Sequence, residues 1–353
     1  MNDEKQIILE MLKEGKITVE EANNLLEAIG SKKSKNDNDF VSKFTQSMEA
    51  VIKKTTETFE NLGNFDLDNI DINQFNIRGQ MNTHDEMRID DDINNINIDI
   101  PSGKIYIERA IDSAITLSQD IWSKKSNLVD FLDVEVLGDS LNISINDEHR
   151  NYDATPVIHL SLGKNIYDSL AIDLVNGSIE VEDVDFTNST IDSVNARITV
   201  INSCGKLDIN NVNGKIDIKN TNGTLNIDNV NGSVYLSNIS GEEANVDAVS
   251  GNVRIDGLNS KTFTADTTSG NIRIYHVKDA ESISLDSSSG NIVIDSEGFE
   301  GEIKARVEAS DLNLSEKYKN KMQIENGYEV STDANKEDLN VNIDAGFGKV
   351  SLR

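Results

Sequence analysis

Four histidines, one cysteine and 62 acidic residues are the groups in this 353-residue chain that could do chemistry. A histidine becomes a metal ligand or proton carrier when a second histidine or a carboxylate stands at ligand spacing, as in HExxH on a helix. His84, His149, His159 and His276 show no such spacing; His276, closing GNIRIYH, reads as an exposed strand-end residue. Cys204 is the lone cysteine, so no intrachain disulfide can form. It stands where Asn195, Asn213, Asn222 and Asn231 stand in neighbouring units, which predicts a packing role and no nucleophilic one. Gly346-Phe347-Gly348 is no dinucleotide fingerprint, because no helix follows to turn its N-terminus toward phosphate. GxSxG and P-loop motifs are absent. Trp122 and Tyr152 read as core or cap residues, since nothing basic accompanies them.

The acidic residues outnumber 33 Lys+Arg, and the formal net charge is −29. Such a chain repels phosphate backbones, which argues against nucleic acid as a partner. It attracts cationic partners, including basic peptides, or simply keeps a large surface soluble. Asp-x-Asp pairs are too frequent here to mark an acid–base dyad. A calcium-binding roll needs GGxGxDxUx, and its second glycine and regular aspartate are missing. Solenoid enzymes acting on acidic polysaccharides need long loops and cationic residues, whereas these corners are short and carry Asn, Asp and Ser. The expectation is therefore no enzyme, no cofactor and no metal.

The elements that would position any site come from a repeat. GKLDINNVN, GKIDIKNTN, GTLNIDNVN, GSVYLSNIS and GEEANVDAVS start at Gly205, Gly214, Gly223, Gly232 and Gly241, and Gly251 follows. Apolar residues alternate after each glycine, as in Leu207/Ile209 and Ile216/Ile218, which is the period of a strand with one buried face. Glycine supplies the backbone freedom that a tight corner requires. LVNGSIEVEDVD opens the series at Gly177, Ala196 replaces a glycine, and longer units begin at Gly251, Gly270 and Gly290. The predicted fold is mainly β: a two-sheet parallel β-solenoid of about 18–20 residues per coil, with a small α-helical N-terminal region. Gly177, Gly205, Gly214, Gly223, Gly232, Gly241, Gly251, Gly270 and Gly290 are the predicted corners. Asn202, Asn211, Asn220, Asn229 and Asn238 recur nine apart, so every second one is expected to stack on the same corner.

Residues 1–30 read as a helical hairpin, its second helix opened by the capping box Thr18-Val19-Glu20-Glu21. Its small apolar face predicts self-association or a partner. Residues 31–92 form a linker that carries an amphipathic helix over 40–62. Phe40, Phe44, Met48, Val51, Ile52 and Phe59 lie along that helix as a candidate partner or membrane face. Lys43, Lys53 and Lys54 are balanced by Glu49, Glu57 and Glu60, against the basic face of a lipid-binding helix. Residues 64–92 read as extended linker or irregular first coils, and the solenoid is assigned to 93–353. ITLSQDIW, FLDVEVLG, SLNISIND and TPVIHLSL are strands, and LNVNIDAGFGKVSLR is a last strand pair. Residues 310–337 and Arg353 are the expected cap of one open end. The first residues lack a signal-peptide pattern, and no apolar run reaches the roughly 18 residues of a membrane span. The expected location is cytoplasmic, with membrane association, or alternatively the cell surface by a non-classical route.

VNGSIEVEDV, VNGKIDIKNTNG, VSGNVRIDG, TSGNIRIYH, SSGNIVIDS and the closing GFGKVSLR resemble the DUF4097 "putative adhesin" β-repeat family. EKQIILEMLKEGKITVEEANNLLEAIG resembles the SHOCT-like helical hairpin that opens YvlB- and LiaX-like proteins. The resemblance implies a bacterial cell-envelope stress protein with a membrane-bound regulator of the PspC/Lia type, or cationic peptides, as partner. It supplies no catalytic residue. Two readings follow: a non-enzymatic scaffold in envelope stress, or an adhesin-like module that binds through its solenoid.

Overall fold

The computed structural model describes residues 80–353, except 125–127, 150–152, 165 and 334–337. The helices expected over 1–30 and 40–62, and with them Phe40, Phe44, Met48, Val51, Ile52 and Phe59, lie outside the described residues. Within these the chain is built from β-strands joined by corners, and the one helical turn is a 3₁₀ segment at Asp147–His149.

Alternation of side chains decides the strands. In β2 (Asn95–Arg109) Ile96, Ile98, Ile100, Ile105 and Ile107 are buried while Asn97, Asp99 and Tyr106 between them face outward. The same in–out pattern runs through β7 (Ile166–Glu182), β8 (Asp185–Ile201), β9 (Cys204–Asn213), β10 (Ile216–Asn231), β11 (Val234–Ser250) and β12 (Val253–Ser269). These strands pair in parallel, coil upon coil. Stacked positions are 18 residues apart between Asn202 and Asn220, 19 between Asn226 and Asn245, and 20 between Asn271 and Asn291. The parallel coil of 18–20 residues is thus as expected.

The separation into two sheets is not. Most strands run through a corner without losing their ladder, so all 21 strands form one hydrogen-bonded sheet. The sheet is creased into two arms. The first arm holds segments such as 95–99, 169–174, 224–229 and 243–248, and the second holds 104–108, 178–182, 216–219 and 234–237. Inward side chains of both arms belong to one apolar cluster. The physical reason is that the corner residues pair as well, Asn176 with Asn195 and Gly177 with Ala196, Asn222 with Cys204 and Gly223 with Gly205, so the backbone ladder continues around the bend.

Both ends are closed by returning strands. At one end β2 is flanked by β7 on one side and by β5 (Ser140–Ile145) and β6 (Ala154–Leu162) on the other. Antiparallel strands finish each arm there: β4 (Leu132–Leu137) on β5, and β3 (Ile115–Ser123) on β6 followed by β1 (Gln80–Ile89). β1 lies in the stretch read as linker; its exposed polar composition hides a strand that is solvated on much of its surface. At the other end β14 (Ser282–Ser289) and β15 (Ile292–Asp295) are followed by β16 (Ile303–Glu308) and β17 (Asp311–Leu314). The C-terminal β20 (Leu339–Asp344) and β21 (Lys349–Leu352) then insert between them. The last strands in sequence are therefore interior in the stack. β18 (Asn320–Ile324) and β19 (Gly327–Ser331) add an antiparallel finish within the expected capping stretch.

Candidate functional site

The corners fix where every outward side chain stands. Gly177, Gly214, Gly232, Gly251, Gly270 and Gly290 lie in one column at the crease between the arms, and Gly205, Gly223 and Gly241 in another at the opposite corner. A Cβ on Gly270 would stand 1.8 Å from the Gly251 carbonyl oxygen, although Gly270 and Gly290 have no positive φ. For those two the demand for glycine comes from the close approach of the next coil, with no left-handed backbone involved.

Asparagines line both corners. Asn202, Asn220 and Asn238 have φ near 53° and form one ladder: Asn220 Nδ2 donates to Asn202 Oδ1, and Asn238 Nδ2 to Asn220 Oδ1, both at 2.9 Å. Asn211 and Asn229 form a second, buried ladder, with Asn211 Nδ2 donating to Asn229 Oδ1 at 3.2 Å. Every second asparagine does share a corner. A third ladder, Asn176–Asn195–Asn213–Asn231, is an addition that the nine-residue reading passed over.

With the coils in register, the outside of the first arm carries one acidic column. Asp99, Asp173, Asp192, Asn210, Asp228, Asp247, Asp266, Asp286, Asp344 and Glu308 are successive partners across neighbouring strands. Asp99 and Asp344 are exposed, Asp192 is buried and accepts from Asn210 Nδ2, and the others are half-buried. Neighbours in such a column are about 4.8 Å apart, the strand spacing. Carboxylates so placed sum into a negative stripe along the stack. Its signal was present in the sequence as an apolar-Asp dipeptide in nearly every coil, but only the 18-to-20-residue offset shows that these dipeptides coincide.

The outside of the second arm differs. Tyr106 stacks on His159 with ring centroids 4.7 Å apart. Lys215 Nζ lies 4.5 Å from the centre of the Tyr235 ring, and the Arg254 guanidinium 4.9 Å from that of Tyr275. Lys215 and Lys219 share Asp217, at 3.1 and 3.3 Å. The cationic residues missing from the corners are thus present on a flat face.

The remaining candidate groups are separate from one another. His84 Nδ1 is 2.7 Å from Asp120 Oδ1, and His149 Nε2 is 2.9 Å from the Val129 carbonyl. His276 is an exposed strand-end residue, as expected, and sits in the left-handed region with Nδ1 2.7 Å from Asp256 Oδ1. The hydrogen bond and charge of Asp256 hold its pKa above the ordinary histidine value. Cys204 is exposed, against the packing role expected of it. It occupies a corner position whose side chain points out, facing an open cleft of about 610 Å³ lined by Arg109, Ile111, Asp183, Asp185 and Asn202. Burial and the nearby Asp185 push its thiol pKa up, so it is a poor nucleophile. Among the described residues, no three of His, Cys, Asp and Glu are placed to share a metal ion. No described helix is long and apolar enough to cross a membrane.

Residues 93–351 match the family described as Toastrack DUF4097. The chain belongs to that family. The Toastrack match runs from Ile93, just before β2, into the last strand, and leaves β1 outside it. Residues 3–34 match a SHOCT-like domain. No curated protein matches the chain. Crystal structures similar to it include a "putative adhesin" of Bacteroides fragilis, 14% identical with a TM-score of 0.38 over 77% of this chain and 97% of that one. A "putative adhesin" of Parabacteroides distasonis is 13% identical with a TM-score of 0.42, over 77% of this chain and 98% of that one. A "putative lipid binding protein" of the same organism is 13% identical with a TM-score of 0.39, over 78% and 98%.

Proposed function

We propose that this Toastrack protein is a non-enzymatic, adhesin-like binding module, in which a rigid creased sheet displays repeating side chains on its outer faces. The observation that carries the reading is the acidic column from Asp99 to Asp344, held in register by parallel pairing in every coil. A ladder of carboxylates at strand spacing offers a cationic, extended or helical peptide many weak contacts at once, each screened by salt. Cationic peptides are accordingly the partner class that the first arm suits. The other reading, an envelope-stress scaffold whose helical hairpin or linker helix engages a membrane-bound regulator, was the first expectation from the resemblance and gains no support from the described residues.

The test is titration of the full chain with a lysine-rich amphipathic peptide, comparing wild type with Asp228→Asn/Asp247→Asn/Asp266→Asn. Asn210 already occupies the same column, so the coil accommodates asparagine there. Binding that weakens by about tenfold in the triple variant, and with salt in the wild type, is expected. Equal affinity of wild type and variant removes the acidic column as the ligand face.

A further inference from the structure

On the second arm, two arginines stand next to each other on neighbouring parallel strands: Arg254 of β12 pairs with Arg273 of β13 (Ile272–Val277). Like charges directly opposite across a ladder repel. Among the described residues neither guanidinium has a carboxylate at ion-pair distance. Asp256, next along the same face, is engaged by His276, and Asp217 by Lys215 and Lys219. Two tyrosines flank the pair. Tyr235 is the neighbour of Arg254 in the preceding coil, and Tyr275 lies beneath the Arg254 guanidinium. Tyr235 is 38% exposed, so its ring and hydroxyl meet solvent.

We propose that Arg254, Arg273, Tyr235 and Tyr275 form a binding face for an acidic polysaccharide. The planar guanidinium forks suit carboxylate or sulfate oxygens in bidentate fashion, and an anion set between them would relieve their mutual repulsion. The tyrosines add hydroxyl tips that can hydrogen-bond a sugar, their ring faces being taken by Lys215 Nζ and the Arg254 guanidinium. The face is open and regular, so an extended polymer can run across several coils without a cleft. The net negative charge of the chain does not forbid this. The acidic column is on the other arm, and the carboxylates beside the arginine pair on this face are Asp256, engaged by His276, and Asp295, the neighbour of Tyr275 on the next strand. The inference is independent of peptide binding by the first arm.

Binding of the full chain to polygalacturonate is measured at physiological salt, with neutral dextran as reference. Arg254→Gln/Arg273→Gln is compared with Lys319→Gln/Lys321→Gln, which removes the same charge from two exposed positions elsewhere, at the start of β18 and just before it. Both variants are checked for an unchanged circular dichroism melt. The expected result is binding to polygalacturonate but not dextran, weakened about tenfold to a hundredfold by the arginine pair and at most about twofold by the lysine pair. Absence of binding, an arginine variant equal to wild type, or equal losses in the two variants would overturn the proposal. So would arginine-dependent binding to anionic phospholipid vesicles or single-stranded RNA in place of polygalacturonate. A null result here with intact peptide binding leaves the first arm's function standing.

Discussion

Gly232 lies directly above Gly214, so close that a Cβ on Gly232 would stand 2.0 Å from the Gly214 carbonyl oxygen. Its φ of 138° is also one that side chains rarely adopt. Gly232→Ala therefore combines a backbone clash with a strained conformation and should cost about 3 kcal/mol or more. The reverse test sits in the same column: Ala196, buried and paired with Gly177, already carries a methyl there, and its φ is not positive. Ala196→Gly should cost about 1 kcal/mol or less, through chain entropy and a lost methyl. Chemical denaturation of both variants checks the contrast, which fails if Gly232→Ala is as mild as Ala196→Gly.

The coil was readable because its physics is local: one alternating strand and one glycine corner per nine residues, repeated. Strand positions at 115–122, 131–138, 140–147 and 155–162 were readable for the same reason. Placement along the stack was not. β20 and β21 come last in sequence yet pair with β14 and β15, because the partner is chosen by a matching inner face and not by chain order. The single creased sheet was illegible for a related reason, since only coordinates reveal whether a ladder survives a corner. The arginine pair was legible: Arg254 and Arg273 each stand three residues after the glycine of GNVRIDG and GNIRIYH, so the 19-residue repeat already aligns them. Their lack of a carboxylate partner was not, since it depends on where neighbouring side chains stand.

Asn220 does two jobs at its corner. Its backbone is left-handed at φ 52°, and its side chain both donates to Asn202 and accepts from Asn238. Asparagine tolerates that backbone better than alanine does. Asn220→Ala loses both hydrogen bonds and adds strain, about 2 kcal/mol in all. Asn220→Gly loses the same bonds but relieves the backbone, and should cost about half as much. Gly257 (φ 85°) already stands at this corner next to Asn238. Denaturation midpoints ranking wild type, Gly, then Ala would agree; Ala and Gly variants of equal stability would show that the backbone is unstrained.

His276 and Asp256 give a pH-dependent contact. The folded pKa of His276 lies above its unfolded value of 6.5, through the hydrogen bond and then the charge of Asp256. Its stabilising contribution is therefore complete below pH 6.5 and is lost as pH rises through the folded pKa. The ring is 66% exposed, so screening by solvent keeps the effect small. An NMR titration should place the His276 midpoint above the ordinary histidine value, and Asp256→Asn should return it toward that value. A midpoint indifferent to the substitution would show that the pair does not form in solution.

Cys204 is accessible yet should react slowly. Its thiol is held protonated first by burial and then by the charge of Asp185, whose Oδ1 also accepts the Cys204 backbone N–H at 2.8 Å. Only the thiolate attacks an alkylating reagent, and each unit of raised pKa removes about nine-tenths of it near neutral pH. Iodoacetamide labelling at pH 8 should run slower than for an unstructured cysteine peptide. Asp185→Asn keeps an oxygen acceptor for the backbone N–H and removes the charge, so labelling should accelerate while the rest of the raised pKa, due to burial, persists. If the variant labels no faster, Asp185 does not act on the thiol, and the cleft that they share with Arg109 and Asn202 is electrostatically inert at that point.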